Sequence, residues 1–194
     1  MRPNVAVVIL AGGEGSRIGG AKPLQLLAGE RLIDRALRQA AGWSNLVAIA
    51  VRDPAQVEPV HVPMIPDVPE IAGPLGGLAA ALRFVGGGGA EFVLTIPTDM
   101  PFLPGDLLGR LFAAIGEHAC ALASSGGHVH PVCGLWRTSA VDRVDEYLAG
   151  GRRSLKGFAQ MIGCRKVAWP VEPLDPFFNV NTAEELAHAE RHAG

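Results

Sequence analysis

Cysteine is scarce in this chain: Cys120, Cys133 and Cys164 are the only three among 194 residues, and no two form a C-x-x-C pair. That count and spacing give no basis for a disulfide framework or a structural zinc site, so buried free thiols are the expectation. A basic stripe is also lacking. The formal net charge is −2, with lysine and arginine scattered along the chain. A nucleic-acid surface, which needs clustered Lys and Arg on one face, is therefore not expected. A small anionic ligand is still allowed, because it needs only a local cluster. No apolar run approaches the roughly 18 residues that cross a bilayer. Arg2-Pro-Asn leads straight into a strand pattern, without a small-residue cleavage site. The expectation is a cytoplasmic protein with neither nucleic-acid nor membrane partners.

What the chain has in quantity is glycine, 25 residues, and apolar side chains, 48%. Its length suits a single domain spanning 1–194 with room for a substantial core. Short β-rich runs alternate with helical patterns. Val5–Leu10 reads as a strand, and Arg31–Ala41 as a helix with Leu32, Ile33, Ala36, Leu37 and Ala40 on one face. Leu46–Val51 and Val62–Ile65 are further strands. A helix opens at Gly73-Pro74 and closes in the Gly86–Gly89 run. Phe92–Ile96 is the next strand and Pro104–Ile115 the next helix. Strands then follow at Ala119–Ala123, Val132–Trp136 and Arg165–Trp169, with helices at Ser139–Leu148 and Ser154–Met161. Thr182-Ala-Glu-Glu185 has capping-box spacing and starts the last helix. This alternation implies βαβ units: an α/β fold with a mainly parallel sheet.

The most informative stretch is Leu10-Ala-Gly-Gly-Glu-Gly-Ser-Arg17-Ile-Gly-Gly-Ala-Lys22-Pro23, directly after the first strand. Glycines let backbone N–H groups approach a ligand, and Arg17 and Lys22 add long cations. It is not a P-loop: counted from Gly15 and Gly20, Ala21 stands where the lysine should be, and Pro23 follows Lys22. It is not a dinucleotide fingerprint either, since Ile18 occupies the third glycine position. Taken alone, a glycine-rich turn without a ligand is the plainer alternative. The second clue is Asp99, which leaves a hydrophobic strand between Pro97 and Pro101. A carboxylate held rigidly at a strand end suits Mg²⁺, which takes one or two carboxylates plus substrate phosphates. The alternative is an Asp capping its own turn. Asp67 follows another strand, at the same edge of a parallel sheet, where ligands bind.

In motif order these residues resemble the molybdenum cofactor guanylyltransferase family within the wider nucleotidyltransferase superfamily. The matching segments are Leu10-Ala-Gly-Gly-x3-Arg17-x-Gly-Gly-x-Lys22, Asp67, Gly73-Pro-Leu-x-Gly-Leu78 and Pro97-x-Asp99-x-Pro-Phe-Leu-Pro104. His130-Pro-Val-x-x-Leu-Trp136 and Phe178-Asn-Val-Asn-Thr182 extend the match over nearly the whole chain. The resemblance implies a Rossmann-like three-layer α/β/α sandwich. It implies transfer of GMP from GTP to the terminal phosphate of Mo-molybdopterin, with Mg²⁺ as cofactor and release of pyrophosphate. It further implies that Leu10, Ala11, Gly12 and Gly13 hold the nucleotide by backbone groups, and that Asp67 contacts the guanosine. Arg17 and Lys22 would neutralise the triphosphate, and Asp99 would hold the metal. Cofactor-biosynthesis proteins or the enzymes that accept the product are the protein partners such a role suggests.

Two departures stand out. The family loop usually reads Gly-Gly-x-Asp-Lys, whereas Gly19-Gly-Ala-Lys22 is one residue shorter and lacks that Asp. The Asn that the family tends to carry after the second strand is absent from Val51-Arg52-Asp53. A molybdopterin cytidylyltransferase, another small-molecule nucleotidyltransferase and a non-catalytic nucleotide-binding chaperone are the alternatives kept open. His130 is a candidate for contact with the pterin, or else a loop His satisfied by backbone. Asn179 and Asn181 are candidates for substrate or metal, or else shape the turn before the last helix. Gly150-Gly-Arg-Arg153 with Lys156 reads as a solvated surface loop. Trp136 and Trp169 read as core.

Overall fold

The computed structural model describes residues 4–11 and 22–193. In chain order it forms β1 (Val5–Leu10), a hairpin of β2 (Leu26–Leu27) and β3 (Glu30–Arg31), α1 (Leu32–Trp43), β4 (Val47–Val51) and β5 (Met64–Pro66). There follow α2 (Pro74–Gly87), β6 (Phe92–Pro97), α3 (Leu107–Ile115), β7 (Cys120–Ser125) and β8 (His128–Arg137). The chain continues through α4 (Val144–Ala149), α5 (Leu155–Ile162), β9 (Cys164–Trp169) and α6 (Ala183–Glu190).

Seven strands form one sheet in the order β5-β4-β1-β6-β8-β7-β9. Pairing is parallel for β1 with β4 and β6, for β4 with β5, and for β7 with β9. Only β8 runs the other way, against β6 and β7. One reversed strand leaves β6 and β7 pointing the same way. The carboxyl ends of all six other strands, and the start of β8, therefore emerge at a single sheet edge.

The apolar run of β1 is continuous because both faces are covered, as buried parallel strands require. Val5, Val7 and Ile9 pack with Ile33, Ala36 and Ala40 of α1 and with Leu107, Leu111 and Ile115 of α3. Ala6 and Val8 pack on the opposite side with Leu75, Leu78 and Leu82 of α2, Tyr147 of α4 and Phe158 of α5. Helices on both faces of a mostly parallel sheet make the expected three-layer sandwich. Trp136 and Trp169 are core residues, and so are Cys120 and Cys133, whose thiols burial pushes up. No helix among the described residues is long and apolar enough to cross a membrane.

Two elements differ from the sequence reading. The β2–β3 hairpin turns through Ala28 and Gly29, both with positive φ (51° and 80°). That two-residue turn follows the right-handed strand twist, but Ala-Gly lacks the Asn-Gly signal that announces it. The helix expected over Ser139–Leu148 begins instead as a 3-10 turn, Thr138–Arg143, and becomes α4. The Thr138 hydroxyl donates to the Ala90 and Glu91 carbonyls, tying that first turn to the sheet.

Gly134 in β8 is sterically required. A Cβ there would lie 2.6 Å from Leu122 Cδ2 and 2.9 Å from Trp136 Nε1. The indole cannot easily retreat, because it is fully buried and donates to Thr95 Oγ1 at 3.0 Å. Gly134→Ala is expected to cost about 2 kcal/mol, as overpacking of a dense core typically does. A lowered urea midpoint at unchanged m-value would show it, and an unchanged midpoint would mean the core yields there.

Candidate active site

The sheet edge just defined carries a cleft of ≈ 430 Å³ whose walls include Leu10, Asp67, Asp99, His130, Asn179 and Asn181. Asp99 stands just past β6, at its centre. Lys22 opens a short 3-10 turn, Lys22–Leu24, anchored by the buried Pro23. Its ammonium donates to Asp99 Oδ2 at 2.7 Å and to Asn181 Oδ1 at 2.5 Å. Both charged side chains remain partly open to the cleft, at 15% and 25% exposure. A third restraint is backbone: Val180 N–H donates to the Asp99 carbonyl at 2.8 Å, drawing the return segment against β6. Glu185 holds the next residues, accepting from the N–H groups of Asn181 and Thr182 at 2.7 and 3.0 Å. The capping box predicted at α6 is thus also what fixes Asn181.

Toward the β5 side lies Asp67. Its N–H bonds the Val51 carbonyl, and its Oδ1 is buried without a hydrogen-bond partner among the described residues. Burial pushes its carboxyl above the usual range, with the positive charge of Arg52 acting in the opposite sense. A buried acceptor with nothing to accept is costly unless a ligand supplies the donor. The first turn of α2 closes over it. A Cβ on Gly77 would lie 3.1 Å from Leu10 Cδ2 and 3.3 Å from Asp67 Oδ1, so glycine permits that approach.

Toward the β9 side the cleft is built by a bulge. Leu122 of β7 pairs with Gly134, but its neighbour Ala123 pairs with His130, so Pro131, Val132 and Cys133 are extra residues on β8. Proline is tolerated at such a bulge because no ladder N–H is needed there. The bulge turns His130 into the cleft. His130 Nε2 lies 2.8 Å from Ser125 Oγ, whose hydroxyl donates to Asp175 Oδ2 at 2.9 Å. Phe177 stacks on the imidazole with centroids 4.7 Å apart.

The structure therefore gathers Leu10, Lys22, Asp67, Asp99, His130, Asn179 and Asn181 at one place. Gly12, Gly13 and Arg17 lie outside the described residues. Of the backbone groups expected to hold a nucleotide, the Ala11 N–H is committed to the Ala50 carbonyl at 2.8 Å. The cationic patch stays apart: Arg152 lies over the Tyr147 ring, and Arg153 donates to the Leu148 and Arg152 carbonyls at the surface. Sequence reasoning missed Ser125, Asp175 and Phe177, and saw Gly77 only as part of the Gly73-Pro-Leu-x-Gly-Leu78 match. Asp175 lies 50 residues from its Ser125 partner. No local pattern connects them.

No group of three or more His, Cys, Asp or Glu side chains able to hold a metal occurs among the described residues. The oxygens of Asp99 and Asn181 nevertheless already share a positive charge, the Lys22 ammonium. That all-oxygen pair suits a hard divalent cation completed by water and phosphate, as Mg²⁺ sites commonly are.

Comparison with known proteins agrees with this fold. Residues 7–163 match the MobA-like NTP transferase domain. A molybdenum cofactor guanylyltransferase from Cereibacter sphaeroides is 40% identical over 185 residues, covering 94% of each chain. One from a Bradyrhizobium species is 41% identical over 194 residues, covering 96% of this chain and 92% of its own. Among solved structures, a molybdopterin-guanine dinucleotide biosynthesis protein A from Archaeoglobus fulgidus superposes with a TM-score of 0.78 at 26% identity. That superposition covers 97% of this chain and 98% of the other.

Proposed function

This chain belongs to the MobA-like NTP transferase family, and on that premise we propose that it transfers GMP from GTP to the terminal phosphate of molybdopterin carrying molybdenum. The observation that carries the reading is the Lys22 ammonium bonded between Asp99 and Asn181, midway along a cleft at the carboxyl edge of the sheet. Phosphate chemistry needs charge there.

The reaction joins an acceptor phosphate oxygen to the α-phosphorus of GTP and breaks the bond to pyrophosphate. A phosphate monoester has its second pKa near ~6, so the attacking oxygen is already anionic at neutral pH and needs no general base. The protein's work is alignment and charge stabilisation. Lys22 meets the negative charge that builds on the departing pyrophosphate, and Asn181 and Asp99 hold its ammonium in place. Asp99 is the residue that would hold Mg²⁺, with Asn181 as its neutral oxygen neighbour. When bound, Mg²⁺ supplies Lewis-acid neutralisation of the phosphate oxygens.

Asp67 supports placing the base at its end of the cleft. Its buried oxygen, without a partner among the described residues, calls for a donor. Guanine offers adjacent N–H donors at N1 and N2, whereas cytosine offers a single amine. Because burial raises the Asp67 pKa, the KM for GTP is expected to rise as pH falls and the carboxylate is protonated. Asp67→Asn should raise that KM about tenfold, the value of one charge-assisted contact, and flatten its acid limb. A KM and pH profile matching the wild type would remove Asp67 from the base site.

The reading itself is tested with the four NTPs, magnesium and molybdopterin, following pyrophosphate release. GTP is expected to be used. Preference for CTP would make the chain a cytidylyltransferase, and GTP binding without turnover would make it a carrier.

A further inference from the structure

Asp67, Asp99 and His130 lie along one edge in the strand order β5, β6, β8, so the cleft has two halves about the Lys22–Asp99 pair. If the base occupies the Asp67 half, the acceptor meets β8, β7 and the segment after β9. This inference rests on the nucleotidyl-transfer reading. There the polar groups form a chain with a fixed direction. Asp175 is acceptor-only when ionised: Oδ1 takes the Phe177 N–H at 2.9 Å, and Oδ2 takes the Ser125 hydroxyl at 2.9 Å. Ser125 has one proton and has given it to Asp175, so toward His130 Nε2, 2.8 Å away, it can only accept. Nε2 must then carry the ring's proton. In a neutral imidazole the other nitrogen, Nδ1, is a bare acceptor.

Three features support a built device over a chance contact. Ser125 is 2% exposed and is one of only three buried polar residues among those described. Phe177, fixed by the same Asp175, stacks on the imidazole and sets its plane. Burial lowers the His130 pKa, and the positive charge of His128 acts the same way; Asp175 alone opposes them. The ring is therefore neutral at pH 7.

We propose that Ser125 and Asp175 are positioning residues that hold His130 as its Nε2–H tautomer, so that Nδ1 receives an N–H donor of the acceptor's heterocycle. A lone pair aimed at the cleft repels a phosphate dianion and attracts a ring N–H or amine. The acceptor is thereby oriented end to end, heterocycle on His130 and phosphate on the Lys22 side. This differs from a nucleophilic triad. Here the hydroxyl, not the imidazole, is the middle member, and its O–H is already donated to the carboxylate.

The test is ¹⁵N NMR of the His130 ring in the full chain, with calorimetric binding of free pterin, inorganic phosphate and GTP. The wild type should show the Nε2–H tautomer at pH 7, and pterin, but not phosphate, should shift Nδ1. Ser125→Ala should give a tautomer mixture and weaken pterin about tenfold, one lost well-placed contact, leaving GTP affinity unchanged. Asp175→Asn is the second variant. Its carboxamide can donate as well as accept, so the direction of the chain is lost while its shape is kept, and the same mixture is expected. A wild-type Nδ1–H tautomer, absence of pterin binding, or variants that bind pterin as the wild type does would each overturn the proposal. Loss of GTP turnover in the wild type would instead overturn the reading it rests on, because the tautomer measurement needs no turnover.

Discussion

Asp99→Ala is expected to lower GTP-dependent pyrophosphate release at least a thousandfold, about 4 kcal/mol of transition-state stabilisation. Two losses combine. The carboxylate that would hold a divalent cation disappears, and among the described residues Lys22 keeps only Asn181 as a fixed partner. The fold should survive, because what ties the return segment to this position is the Asp99 carbonyl, which alanine retains. The side chain is also only partly buried, at 25% exposure. An unchanged melting temperature with activity gone is thus the expected pair of results. Asp99→Asn separates charge from shape: it keeps an oxygen but loses the anion, and should be nearly as inactive. Near-normal release by either variant would exclude Asp99 as a metal ligand.

That Asp99 could be read from sequence reflects local chemistry. Pro97 and Pro101 restrict the chain on both sides of a strand end, so a rigid carboxylate was visible without any tertiary knowledge. Lys22, in its glycine-rich loop, and Asn181, beside the Thr182 cap, were legible for the same reason. The mainly parallel α/β sheet followed from strand and helix periodicity, and the three layers from the family resemblance. What was not legible is non-local. The reversed β8 and its bulge decide that Ser125, His130 and Asp175 meet, and that pairing depends on register between strands. Gly77 stood in a matching motif, but its purpose did not show; only the approach of α2 to Leu10 and Asp67 makes a side chain there intrusive. The β2–β3 turn was hidden because Ala28 adopts a conformation that glycine or asparagine usually signals.

The reversed strand also explains how one edge can serve two substrates. In the proposed reading the first four parallel strands give the nucleotide half, whose polar residues follow strand ends. Beyond β6, the antiparallel β8 starts at this edge, and its bulge supplies apolar Pro131 and Val132 beside His130. The acceptor half is therefore lined differently, with one oriented imidazole instead of an open carboxylate. Lys22 and Asp99 sit between the halves, where the proposal brings a phosphate from each substrate together.

Lys22→Ala is accordingly expected to lower kcat/KM for GTP about a hundredfold, the scale of one oriented charge on a developing anion. The effect should fall on kcat more than on KM, because negative charge on the pyrophosphate grows toward the transition state. Lys22→Arg should recover little: the guanidinium is planar and longer in reach, whereas the ammonium is a compact charge held between Asp99 and Asn181. Since the two residues share a contact, Lys22→Ala in an Asp99→Ala background should add far less than a hundredfold. Full multiplicative loss in the double variant would mean that Lys22 and Asp99 act independently. Unchanged kinetics in Lys22→Ala alone would mean that the shortened loop delivers its charge to the triphosphate through another residue.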